Sequence, residues 1–445
     1  MNITKDSKTI LSFLVDKNNI NYKYHKPISN NNKKHIFKYI YDKLNEASTL
    51  IKEISASENI KISHFSQIVK PRNYNNESFP VKIMDHINKN STTQYLYTMS
   101  NLSLFSRTIK VYFIDEERTE KEEVDPNKYA ECFRKMLFWF YLLNIHASSK
   151  CSQTIIIYIY LSSLKKELPS HSSITIDQNH ANTGFTSNCS VNSEIVIFRK
   201  EEWFKVFLHE SFHNFNLDFS DMNINHINKQ ILQLFPLANS EVTAYEAYTE
   251  FWAEIMNAAI LGITVVEGVV TPMTPHFDKI GSPIPKFNEF LQTCEFIINC
   301  ERNFGMYQLV KVLKHMNLTY NDLIKREEIT DHKRNWSDNP DHKRNWYKEN
   351  TNVLSYYILK NVLLNNYNEF LEWCSKNNTN TFQFVKTEEH LQMFYKFIEK
   401  YYKSKDMLDM IKYAGNMKSI DQFICKSMRM TCCEFNLFQP ISKTI

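Results

Sequence analysis

KEEWFKVFLHESFHNFN, residues 200–216, is the stretch on which the reading of this chain turns. It contains His209-Glu210-Ser211-Phe212-His213, an HExxH sequence. On a helix, two imidazoles four residues apart leave from one face and can grip a single metal ion. The glutamate between them is offset enough to miss the ion and reach a water beside it. The predicted helix is apolar nearly all round (Trp203, Phe204, Phe207, Leu208, Phe212, Phe215), which predicts burial between layers. Polar groups on such a helix need partners, and a metal ion would be one. Glu201 and Glu202 are expected in its first turn, where they suit the helix dipole.

Upstream, Glu194 to Phe198 (EIVIF) is a short strand leading into this helix, and Asn182 to Thr186 is a polar, turn-rich stretch. Thr154 to Leu161 (TIIIYIYL) is a continuous apolar run, as suits a strand covered on both faces. Before it, Lys128 to His146 reads as a helix with Asp125 as cap and Pro126 at the first position. Thr108 to Ile114 (TIKVYFI) is another strand. Residues 1–92 read as an appended region holding one amphipathic helix, Lys33 to Ile54, and an Asn-rich polar stretch, Pro71 to Pro80.

Downstream, a second helix is predicted from Ser240 to Leu261, carrying Glu246, Glu250 and Glu254 at four-residue spacing on one face. Stacked like charges oppose one another on a helix, and a nearby cation reverses that sign. Prolines 272, 275, 283 and 285 then interrupt the chain. Helical patterns follow at 286–299, 306–315, 352–373, 388–402 and 406–413. DHKRNW occurs twice, at 331–336 and 341–346, and reads as a small duplication in a surface loop.

A catalytic zinc ion wants three protein ligands and an open position. The HExxHxxGxxH arrangement fails, because Asn216 and Phe219 stand at its Gly and His positions. The other arrangement takes a glutamate from a second helix, followed four residues later by an acid that orients a ligating histidine. Two registers fit. Glu250-Phe251-Trp252-Ala253-Glu254 resembles the third-ligand helix of several gluzincin families, with Glu250 as ligand and Glu254 behind it; this register is preferred. Glu246-Ala247-Tyr248-Thr249-Glu250 is similar to the thermolysin-type pattern, with Glu246 as the alternative ligand.

Over roughly residues 93–262 the chain thus resembles the gluzincin-type HExxH zinc metallopeptidases. The phrase EEWFKVFLHESFHNFNLDFS also resembles hypothetical HExxH proteins of large DNA viruses. The resemblance implies an α+β fold with a zincin-like lobe (93–220) of mixed sheet and active-site helix, then a mainly helical lobe (221–445). It further implies Zn²⁺ as cofactor, Glu210 as general base, a peptide or protein substrate, and Asn182 to Thr186 as the edge that pairs with it. Candidates for binding the oxyanion are Tyr356, Tyr357, His276 and His315, whereas His226 reads as a surface residue. The alternative function is a catalytically inactive zincin-fold structural or virion-associated protein that retains zinc.

The bulk properties narrow the field further. A formal charge of +4 on 445 residues gives no push towards nucleic acid. Six glycines without a cluster argue against phosphate cradling. A ferritin-like di-iron site would need a second ExxH helix. The nine cysteines are scattered, with no CxxC, so reduced thiols are expected. No signal-peptide pattern opens the chain, and its apolar runs are too short to cross a bilayer. A soluble intracellular protein is expected.

Overall fold

Strands 154–160 and 192–197 alternate side chains between two apolar faces, and this sets the centre of the architecture. The computed structural model describes all residues except 1–2, 18–24, 29–30, 57–59, 73, 75–77, 101–105, 117–124, 126, 237, 269–284, 326–346 and 437–445. Prolines 272, 275 and 283, His276 and both DHKRNW segments lie outside the described residues. Six strands form one mixed sheet: β1 (Ile60–Phe65), β2 (Thr93–Met99), β3 (Thr108–Asp115), β4 (Thr154–Tyr160), β5 (Gly184–Thr186) and β6 (Asn192–Ile197). Their order is β1-β2-β3-β4-β6-β5. β3, β4 and β6 are parallel, while β1, β2 and the edge strand β5 run antiparallel to their neighbours.

Ile155, Ile157, Ile159, Ile195 and Ile197 point into the main core. Tyr158, Tyr160, Val196 and Phe198 point the other way, under a cover of Phe79, Ile83 and Ile87. That cover comes largely from a helix with no counterpart in the sequence reading, α2 (Val81–Asn90). The central strands β4 and β6 are therefore buried on both sides, as their continuous apolar runs predict.

Helices α1 (Asn31–Ala56), α3 (Ala130–His146), α4 (Trp203–Asn214), α5 (Ala244–Val266) and α6 (Lys286–His315) pack into the main core together with helical segments between residues 354 and 416. The fold class is α+β. Residues 1–92 share that core: α1 packs against α3, α5 and α6, and β1 extends the sheet through β2. α3 starts at Ala130, later than its sequence signals suggest; Asp125 instead accepts from the backbone N–H of Asn127 at 2.8 Å, closing a turn before the helix. The two helical patterns at 286–315 form one continuous helix. α5 is long and apolar enough to cross a membrane, but 94% of its apolar window is buried inside the protein.

One cysteine expectation is overturned. Cys151 and Cys189 form a disulfide that ties the loop between β5 and β6 to the start of β4. Their separation of 38 residues hides the pairing in sequence, because only the sheet brings these two ends together. The other seven cysteines are free thiols, of which Cys425 alone is exposed.

Candidate metal centre

α4 lies between the sheet edge and α5, and every residue of it is buried. Its start departs from expectation. Glu202 is not in the first turn; it caps the helix in a left-handed conformation at φ 60°. Its buried carboxylate pairs with Lys166 and accepts the backbone N–H groups of Met430 and Thr431 at 2.8 and 2.6 Å. At the other end Asn216, also left-handed (φ 59°), reverses the chain, and the Leu217 N–H donates back to Phe212 at 2.9 Å. This turn swings Asp218 under His213.

The two imidazoles converge as the motif requires. His209 Nε2 and His213 Nε2 are 3.2 Å apart. Glu246 Oε2 lies 3.0 Å from the first and 3.4 Å from the second. The three residues form a buried group whose ligand atoms could hold a metal ion. Behind them, each imidazole has its own acid: Glu250 Oε2 is 2.8 Å from His209 Nδ1, and Asp218 Oδ2 contacts His213 Nδ1. On His213 the acid keeps a proton on Nδ1 and turns the Nε2 lone pair towards the shared point, whereas Glu250 meets His209 Nδ1 at ion-pair distance without hydrogen-bond geometry.

The preferred register of the second helix is therefore corrected by one turn. Glu246 is the carboxylate grouped with the two Nε2 atoms, and Glu250 lies on the Nδ1 side of His209. The reason is the packing of α5 alongside α4, in which later residues of α5 meet earlier residues of α4. Glu246 faces both imidazoles, Glu250 reaches the back of His209 and the amine of Lys205, and Glu254 has moved beyond the site. Glu254 instead lies 3.5 Å from Lys360 Nζ.

The charges are dense. Burial opposes a proton on His209, yet Glu246 and Glu250 outweigh it and hold its pKa up at about 9. Burial likewise opposes a proton on His213, and Asp218 and Glu246 raise its pKa well above the ordinary value. Burial alone would lift the Glu250 carboxyl, but Lys205 and His209 hold it well below the usual range. Burial pushes Glu210 up to about 7 against the pull of both histidines. Glu210, Asp218, Glu246 and Glu250 thus crowd one small volume, in which Lys205 pairs with Glu250. A cation at the point the two Nε2 atoms share would take the place of the protons that these carboxylates hold on the imidazoles.

A cleft of about 340 Å³ opens over this point. His209, Glu210, His213 and Glu246 form its floor, and β5 forms one wall. The predicted edge, 182–186, is the antiparallel edge strand beside the motif helix. Gly184 is needed there: a Cβ would stand 2.8 Å from the Val196 carbonyl oxygen and 3.2 Å from Glu210 Oε1. Asn214 clamps this strand to α4, its amide donating to Thr186 Oγ1 (2.9 Å) and to the Ser187 carbonyl (3.2 Å).

Of the oxyanion candidates among the described residues, Tyr356 alone lines the cleft, with its ring 6.0 Å from that of His209. It sits in a π-helical turn, Leu354–Leu359, a feature often found at functional sites. Tyr357, next to it, points into the core and donates to the Met428 carbonyl at 2.6 Å. His315 lies at the surface beside Ile174, and His226 is exposed. Sequence reasoning missed Asp218, Lys205 and Asn214, as well as Asn352, whose amide donates to Glu246 Oε1 at 3.3 Å. Only Asp218 left a trace in the sequence, as an acid two residues after an Asn suited to end the helix. In comparisons with known proteins, no family model, no curated protein and no solved structure matches this chain.

Proposed function

We propose that this chain is a zinc-dependent metallopeptidase with a gluzincin-type site in a zincin-like fold. His209, His213 and Glu246 would hold the ion. The observation that carries this reading is the spacing of the three donor atoms, 3.0, 3.2 and 3.4 Å. Tetrahedral zinc with ligand bonds of about 2.0–2.1 Å asks for donors roughly 3.3 Å apart. The two Nδ1–carboxylate contacts further support the reading, since they leave both Nε2 atoms free as ligands.

Zinc, when bound, supplies Lewis acidity towards a carbonyl oxygen and makes water a nucleophile at neutral pH. The chain's own groups do the rest. The Glu210 carboxylate accepts a proton as the water oxygen bonds to the peptide carbon. It then delivers that proton to the amide nitrogen as the C–N bond breaks. Tyr356, on the cleft wall against His209, is suited to donate a hydrogen bond to the carbonyl oxygen as negative charge grows there. The unpaired side of β5 supports an extended peptide substrate by strand addition.

Purified protein should carry one equivalent of zinc in this site and hydrolyse peptides from an unbiased library. Glu210→Gln should keep the metal and lose hydrolysis. Zinc bound by His209, His213 and Glu246 in a protein that cleaves no library peptide would overturn the hydrolase reading in favour of a structural one.

A further inference from the structure

Beyond the far end of the glutamate stripe lies a second buried cluster that the hydrolase reading does not use. It joins α6 to the C-terminal segment. Cys432 Sγ and Cys433 Sγ are 3.6 Å apart, and a Glu301 carboxylate oxygen lies within 4.8 Å of both. Both cysteines are fully buried and Glu301 is 1% exposed. Glu301 is held by Thr431 Oγ1 and the Cys433 N–H on Oε1, at 2.6 and 3.0 Å, and by the Cys432 N–H on Oε2, at 2.8 Å. Oε2 therefore keeps a lone pair to spare.

A second observation points to a missing cation. Glu254 Oε2 is buried and has no hydrogen-bond partner among the described residues. Glu301 is the strongest like charge acting on Glu254, and Glu254 in turn acts on Cys433. Against these two carboxylates stands Lys360, 3.5 Å from Glu254 Oε1 and also donating to the Met430 carbonyl at 3.2 Å. Two buried acids beside one lysine are a setting in which a proton, or a cation in its place, is stabilising.

We propose that Cys432, Cys433 and Glu301 form a second metal site, structural rather than catalytic, for a borderline-soft divalent cation such as Zn²⁺. Thiolates on tetrahedral zinc, with bonds of about 2.3 Å, stand roughly 3.8 Å apart, close to the spacing here. Thiolate and carboxylate together select zinc-like ions over magnesium or calcium. Binding releases both thiol protons to solvent. The ion would fasten residues 430–433 to α6, and the same segment supplies the N–H groups that hold Glu202 at the head of α4. This inference does not depend on the hydrolase reading.

The test uses the full chain with Cys425→Ser, which removes the exposed thiol, expressed in cobalt-supplemented medium. The expected result is two equivalents of cobalt and a thiolate-to-cobalt charge-transfer band in the near ultraviolet. His209→Ala/His213→Ala should lose one equivalent and keep the band, since that site offers nitrogen and oxygen only. Cys432→Ser/Cys433→Ser should lose the other equivalent and the band. The proposal is overturned by one equivalent without a thiolate band in the Cys425→Ser protein, a result that needs no further variant to fold. It is equally overturned if the band survives the double serine substitution. Neither outcome bears on peptide hydrolysis, which is measured separately.

Discussion

Along α5, Glu246, Glu250 and Glu254 repeat every four residues on one face, yet the two ends of that stripe meet different chemistry. At the first end, Glu246 faces two imidazoles under an open cleft, and Glu250 is shared between Lys205 and His209. At the far end Glu254 is sealed in the core, with Lys360 and Glu301 as its charged neighbours. The pKa values separate accordingly: burial is opposed at Glu250 by Lys205 and His209, which pull it down, whereas burial and Glu301 together push Glu254 up. Identical residues in identical helical positions thus acquire opposite protonation preferences from what the neighbouring elements place against them.

The largest expected effect tests the open end. Glu210→Gln should lower kcat by about 10²–10⁴-fold, the usual worth of a positioned general base, with metal content unchanged. Metal loss together with activity would mean that Glu210 is a ligand rather than a base.

Lys205→Met strands the buried Glu250 without its cation, and removing one partner of such a pair typically costs about 3–5 kcal/mol. The loss should be seen in the urea midpoint of the metal-free protein. A shift no larger than that of a surface lysine would mean that Glu250 does not rely on Lys205.

The register of the stripe is tested by zinc competition against a chelator. Glu250→Gln should weaken zinc binding by about 10–100-fold, as loss of an orienting acid does. Glu246→Gln should weaken it further, and Glu254→Gln should leave the affinity of this first site unchanged. A larger effect at Glu250 than at Glu246 would restore the register preferred from the sequence.

The smallest effect is a pH dependence. The folded pKa of His209, at about 9, stands above its ordinary 6.5. Its contribution to the stability of the metal-free protein is therefore complete below about 6.5 and lost as pH rises through about 9. The stability difference between metal-free wild type and His209→Gln should shrink across that window. A difference independent of pH there would show that the carboxylates do not hold a proton on the imidazole.

Much of this was legible beforehand. The apolar runs of β4 and β6, the motif helix and the amphipathic α1 follow from periodicity and propensity, which are local. α2 was not legible, because its apolar residues are few and its face is completed only by the sheet it covers. Tyr356 and Tyr357 are adjacent in sequence, and only the π-helical turn that carries them separates a cleft-lining ring from a core one.

Sequence by itself determined the local chemistry: two imidazoles one helical turn apart, a glutamate between them, and a stripe of acids on a second helix. Those follow from the fixed period of the α-helix, which the order of residues alone dictates. Tertiary structure decided which acid meets which imidazole, that Asp218 and Lys205 belong to the site, and that Cys151 reaches Cys189. Each of these depends on how one element is laid against another over long sequence separations, and packing at that range leaves no periodic trace in the chain.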